Sequence, residues 1–151
     1  MTHTRRQLRA VSLVVLALAV LSLLNTLFET FFGELNSELN GATVPAGSPD
    51  NVVMIAKIFV LAVSVLILLP QAYIGLKGLK MAKEPDSSIG HIVWGVIVTA
   101  FTAMGLISAF VAFVQGNGDA FGNVARFLSI AVDVTILVGY VKLAIAVRNE
   151  A

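Results

Sequence analysis

The sequence predicts an all-α integral membrane protein: an antiparallel four-helix transmembrane bundle with both termini in the cytoplasm. Three observations carry that prediction. Of 151 residues, 58% are hydrophobic and 13% charged, with a mean hydropathy of +0.92, a balance foreign to soluble domains. The apolar residues fall into four stretches of the length a membrane-crossing helix needs, about 20 residues. Eight of the ten Lys and Arg, namely Arg5, Arg6, Arg9, Lys77, Lys80, Lys83, Lys142 and Arg148, collect on one side of the resulting topology. Positive residues are retained in the cytoplasm, which makes the arrangement N-in and C-in. The chain is read as one transmembrane domain, 1–151, with spans near 8–32, 51–76, 89–114 and 123–147. An outer loop covers 33–50 and a cytoplasmic loop covers 77–88.

The N-terminal Arg5-Arg6-Gln7-Leu8-Arg9 loosely imitates an export signal. The apolar run behind it continues to Phe32 without a small-residue cleavage site, so a retained first span is expected. Phe28, Phe31 and Phe32 close that span as interfacial aromatics, and Ser22, Thr26 and Glu29 share one of its faces. The outer loop has no Lys or Arg, and its two Glu-Leu-Asn triplets could form a short surface helix. Ser48-Pro49-Asp50 then reads as a helix start: Ser48 as N-cap, Pro49 in the first helical position, Asp50 near the positive end of the dipole.

In the second span Lys57, Ser64 and Gln71 recur every seven residues on an otherwise apolar helix, and Pro70 is expected to kink it. Lys77, Lys80 and Lys83 follow as a second basic cluster able to touch anionic lipid. Asp86 or Ser87 is the expected cap of the third helix. That helix carries Trp94 near its entry and a row of small or weakly polar residues, Gly95, Thr99, Thr102, Gly105 and Ala109, which favour close packing against its neighbours. The fourth span sets Arg126, Asp133 and Tyr140 seven apart on one face. At an offset of 69 residues Lys57 and Ser64 overlay Arg126 and Asp133, a match that Ala, Val, Ile and Leu helices reach readily by chance. A true duplication would make the two hairpins parallel repeats.

Charges within spans are costly, about 2.5 to 3.5 kcal/mol at the bilayer centre on an insertion scale, so their geometry matters. Side chains lean toward the N-terminus of their own helix. Lys57 and Arg126 therefore lean outward, each seven residues, or ~10 Å, below an acidic residue, Asp50 or Asp119, and can snorkel to the interface. Glu29 leans inward, and an outer-leaflet cluster of Glu29, Lys57 and Arg126 is expected. Asp133 lies ~21 Å down its helix. It is too short to snorkel and should be neutral, hydrogen-bonded to a donor such as Ser64, Thr99, Thr102 or Tyr140.

Several function classes find no support in the sequence. The absence of cysteine removes disulfides, zinc thiolates and thiol redox chemistry. His3 and His91 share no helix, and His91 reads as an interface or capping residue, so no metal or haem site is expected. The acidic outer loop lacks the ligand spacing of a calcium loop. No basic run interleaved with aromatics points to nucleic acid, and no catalytic motif points to an enzyme. The expected partners are the lipid bilayer and a second copy or another membrane protein. The leading expectation is a structural or accessory protein of the membrane, most readily a bacterial cytoplasmic (inner) membrane. The rival is a small proton- or cation-coupled transporter or channel using Asp133, with Lys57, Arg126, Glu29, Ser64 and Tyr140 around its path. No cofactor is expected.

Overall fold

A computed structural model describes residues 2–32, 49–85, 88–116 and 120–150, apart from the side chains of Glu29, Val60 and Phe32. Four helices occupy them: α1 His3–Phe32, α2 Asp50–Lys83, α3 Gly90–Val114 and α4 Ala120–Arg148, with no strand among the described residues. All four are long and apolar enough to cross a membrane, which points to a multi-pass membrane protein.

α1, α2 and α4 outrun the apolar stretches that announced them, and α3 matches its own to within one residue. α2 continues seven residues beyond the expected span, so 77–83 is helical instead of loop. Hydropathy marks where a chain enters lipid, whereas helix length follows hydrogen bonding and propensity, and Leu, Lys, Met and Ala are good helix formers. Pro85 then ends the segment by disfavouring the helical conformation at Glu84. Pro70 lies inside α2 without interrupting it, although it removes one backbone donor from the helix. Asp50 opens α2 as expected, but Pro49 stands just outside it, its carbonyl accepting from the Val52 and Val53 amides at 2.9 and 3.3 Å. Ser48, the Glu-Leu-Asn triplets, Asp86, Ser87 and Asp119 lie outside the described residues. The α3 cap is Ile89, without a side-chain hydrogen bond. At the other end of α3, Gly116 takes φ +67° and its amide donates to the Phe113 carbonyl at 3.2 Å, a left-handed stop that glycine reaches without steric cost.

The chain divides into two compact units, Met1–Leu16 with Pro70–Ala151, and Ala17–Leu69. The first holds the core. Leu8 and Val15 of α1, Ile74, Met81 and Ala82 of α2, Ile92 of α3, and Leu137, Tyr140, Ala144 and Val147 of α4 form one buried cluster. These residues sit near the N-termini of α1 and α3 and the C-termini of α2 and α4, so four helix ends converge where most of the basic residues lie. On α4 the buried positions 137, 140, 144 and 147 are spaced three, four, three, the stripe of a helix burying one face. The hairpin of α3 and α4 is antiparallel, with Gly95 opposite Val141 and Phe110 opposite Phe127, the two rings 6.3 Å apart. In the second unit Thr30 is buried, and Phe31 of α1 lines a surface groove of about 420 Å³ with Asp50, Val53, Met54, Lys57, Ile58 and Leu61 of α2.

Candidate functional site

A group of buried polar side chains lies in that core, around Tyr140. Its ring is fully buried, and its hydroxyl donates to the Ile74 carbonyl across the α4/α2 contact at 2.8 Å. A tyrosine enters an apolar interior on such terms, ring in the core and phenol on an acceptor. Gly78 makes the approach possible. A Cβ there would stand 2.5 Å from Tyr140 Cε2 and 2.2 Å from Ser12 Oγ, so α1, α2 and α4 meet over a residue without a side chain. Gly75, one turn earlier, admits Leu16 and the Ser12 carbonyl in the same way. The buried Ser12 hydroxyl has no hydrogen-bond partner among the described residues and lies against the Gly78 backbone.

His91 enters the same node from the first turn of α3. It is buried instead of interfacial, with Nε2 3.0 Å from Met81 Sδ, close enough for an Nε2–H to donate to the thioether. Its ring meets Tyr140 edge to face, centroids 6.5 Å apart. The extension of α2 explains the burial, because Met81 belongs to the part that hydropathy assigned to a loop. Arg5 closes this end: its guanidinium donates to the Ala82 carbonyl at 3.0 Å and to the Lys83 carbonyl. Those carbonyls end α2 without partners in their own helix, at its negative pole. At the surface Thr2 donates to the Glu150 carboxylate at 2.8 Å, joining the two ends of the chain.

The residues singled out from sequence divide between the units. Glu29, Lys57 and Ser64 belong to Ala17–Leu69; Arg126, Asp133 and Tyr140 belong to the other. Lys57 is half-buried and lines the groove with Asp50, two turns away on the same face. Ser64 is half-buried, and the Glu29 side chain lies outside the described residues. Arg126 is exposed. Asp133 is half-buried on the face of α4 that continues to Leu137 and Tyr140, and the α3/α4 register brings it level with Ala103. Its carboxyl makes no hydrogen bond or ion pair among the described residues. Three of the donors envisaged for it act elsewhere: Tyr140 bonds Ile74, Thr99 donates to the Gly95 carbonyl at 2.7 Å, and Thr102 to the Val98 carbonyl at 2.8 Å. Neither the groove at Lys57 nor an apolar one between Phe110, Phe113, Val124, Phe127 and Leu128 is lined by Asp133.

Ser12, Met81, Gly75, Gly78 and the burial of His91 were not expected from sequence. Their signal was present as the pair Gly75 and Gly78 in Gly-Leu-Lys-Gly-Leu-Lys, small residues one turn apart. Lysines beside Gly78 placed it in the expected loop 77–88, apart from Gly75 in the second span. No family model matches the chain, and neither a curated protein nor a solved structure does.

Proposed function

We propose that this is a structural or accessory protein of a bacterial cytoplasmic membrane, its basic end in the cytoplasm, that packs against a second copy or another membrane protein. Polar groups of the first unit serve packing: Tyr140 bridges helices, His91 meets Met81, and Thr99, Thr102 and Thr135 donate to carbonyls of their own helices. The observation that carries the proposal is where small residues remain uncovered. On α3, Gly95 and Ala109 are buried within the chain, while Gly105 of the same row has nothing within 4 Å of an added Cβ. On α4, Ala125, Val132 and Gly139 recur every seven residues on a face turned about 100° from Asp133 and Tyr140. Ala125 and Val132 are exposed, and a Cβ at Gly139 would meet nothing within 4 Å. Lipid is as apolar as leucine, so helices associate in bilayers through close backbone approach at such faces.

A photo-crosslinking residue at Val132 in native membranes tests this against one at Phe101, which is 70% exposed on α3. The expected result is a discrete protein adduct from position 132 and lipid adducts from position 101. Lipid adducts alone from both would remove the support for an interaction role.

One observation favours a second reading. Asp133 is an acid within a span with no partner among the described residues, and intramembrane acids serve ion and proton paths disproportionately often. Proteoliposomes carrying the protein would then show proton or cation flux that Asp133→Asn abolishes, and equal flux in wild type and variant would exclude it.

A further inference from the structure

A second groove, of about 320 Å³, opens in the first unit between the beginning of α1 and the end of α2. Its lining is Arg9, Leu13, Leu79, Lys80 and Lys83. The order of these residues along the helices gives the groove a polarity. Leu13 is one turn deeper into the apolar stretch than Arg9, and Leu79 is one turn deeper than Lys83. Arg9 and Lys83 therefore stand at the mouth, with Lys80 one residue nearer to it than Leu79, and the two leucines lie deeper, Leu13 being 51% exposed. Among the described residues none of the three cations has an acidic partner.

The walls are held in place. Arg5, one turn before Arg9, bonds the carbonyls of Ala82 and Lys83, which ties the last turn of α2 to the first turns of α1. Packing of Gly75 against Leu16 and Ser12 holds the two helices together deeper in. The guanidinium that makes this tie is engaged with backbone, whereas Arg9, Lys80 and Lys83 stay exposed.

We infer that this groove is a binding site for an anionic phospholipid of the leaflet at the basic end, its headgroup phosphate between Arg9, Lys80 and Lys83 and the start of one acyl chain along Leu13 and Leu79. The volume lies at the lower end of the range for small-ligand sites. The chemistry asks for an amphiphile: Arg presents paired donors to phosphate oxygens and the lysines add point charges, while the leucines offer nothing to a soluble anion. The site requires the basic end to lie at a membrane surface and is independent of the accessory role.

The test uses full-length protein in detergent, with lipid retention read by native mass spectrometry. Phosphatidylglycerol is titrated against phosphatidylcholine of the same chains, with inorganic phosphate as a competitor. Wild type is expected to retain phosphatidylglycerol preferentially, and each of Arg9→Gln, Lys80→Gln and Lys83→Gln is expected to weaken it roughly five-fold, the worth of one cation beside an anionic surface. Lys142→Gln and Arg6→Gln remove the same charge at the same end outside the groove and should leave retention unchanged. Leu79→Trp fills the groove with every cation kept and should also abolish the preference. Charge-preserving Lys80→Arg should keep both fold and binding. The inference fails if phosphatidylcholine is held equally, if the control variants weaken retention as much, or if inorganic phosphate displaces the lipid at comparable concentration, which would mark a soluble-anion site.

Discussion

Gly78→Ala is a one-carbon test of the place where α1, α2 and α4 meet. The added methyl would fall 2.2 Å from Ser12 Oγ and 2.5 Å from Tyr140 Cε2, where ordinary contact begins near 3.4 Å. Neither neighbour has room to retreat, because Ser12 and Tyr140 are fully buried and the phenol is anchored to Ile74. Overpacking of a tight site costs about 1 to 3 kcal/mol, and two contacts this short put Gly78 at the upper end. Displacing the ring adds the loss of a hydrogen bond, about 1 kcal/mol. Against this stands the helix preference for alanine over glycine, about 1 kcal/mol in the other direction. A net loss of about 2 to 3 kcal/mol is expected. Gly139→Ala has the propensity gain and no clash, since nothing lies within 4 Å of its Cβ, and should be neutral or slightly stabilising. Gly75→Ala should fall between them, because its nearest neighbour is the half-buried side chain of Leu16 at 2.6 Å. The assay is reversible unfolding in mixed micelles with rising SDS, followed by circular dichroism and by the fluorescence of Trp94, the only tryptophan. If Gly78→Ala is as stable as wild type, or loses no more than Gly139→Ala, the close approach of three helices is wrong.

The remaining expectations concern single contacts. Tyr140→Phe should lose about 0.5 to 1 kcal/mol in the same assay, the low end for a hydrogen bond, because the Ile74 carbonyl keeps its own helical partner. Arg5→Ala should lose about 1 to 2 kcal/mol, and hydrogen exchange should quicken in the last turn of α2 while α3 and α4 stay protected. Asp133→Asn should fold with a stability within about 1 kcal/mol of wild type, since no ion pair among the described residues depends on its charge. A larger loss would show that the ionised carboxylate is structural.

What could be read from the sequence follows from which forces act within a few residues of one another. Helix number and type were legible because lipid imposes a length and a composition on whatever crosses it. The inward face of α4 was legible only in part: of the seven-residue recurrence of Arg126, Asp133 and Tyr140, Tyr140 is fully buried in the core, Asp133 is half-buried and Arg126 is exposed. The acceptor for Tyr140 was not, because Ile74 offers only a backbone carbonyl, a group every residue has and no pattern distinguishes. The end of α2 was misplaced for a related reason: lysines signal departure from lipid, yet a helix continues through them until Pro85. That extension brings Met81 onto His91 and Gly78 onto Tyr140, so the polar node stayed hidden with it. Side-chain chemistry at Asp133, Lys57 and Arg126 could be located on helix faces, but partner choice depends on contacts far apart in the chain.

The central claim is that the chain crosses the membrane four times and gathers its four basic-end helix termini on one side. A cysteine-free sequence allows a direct measurement, because any introduced thiol is the only one. Single cysteines at Thr2, Asn51, Gln115 and Asn149 would be challenged with an impermeant maleimide on right-side-out vesicles and again on inverted ones. Positions 51 and 115 should label only from the outside, and positions 2 and 149 only from the cytoplasmic face. Labelling of 2 and 149 from opposite faces, or of 51 and 115 together with them, would contradict the account.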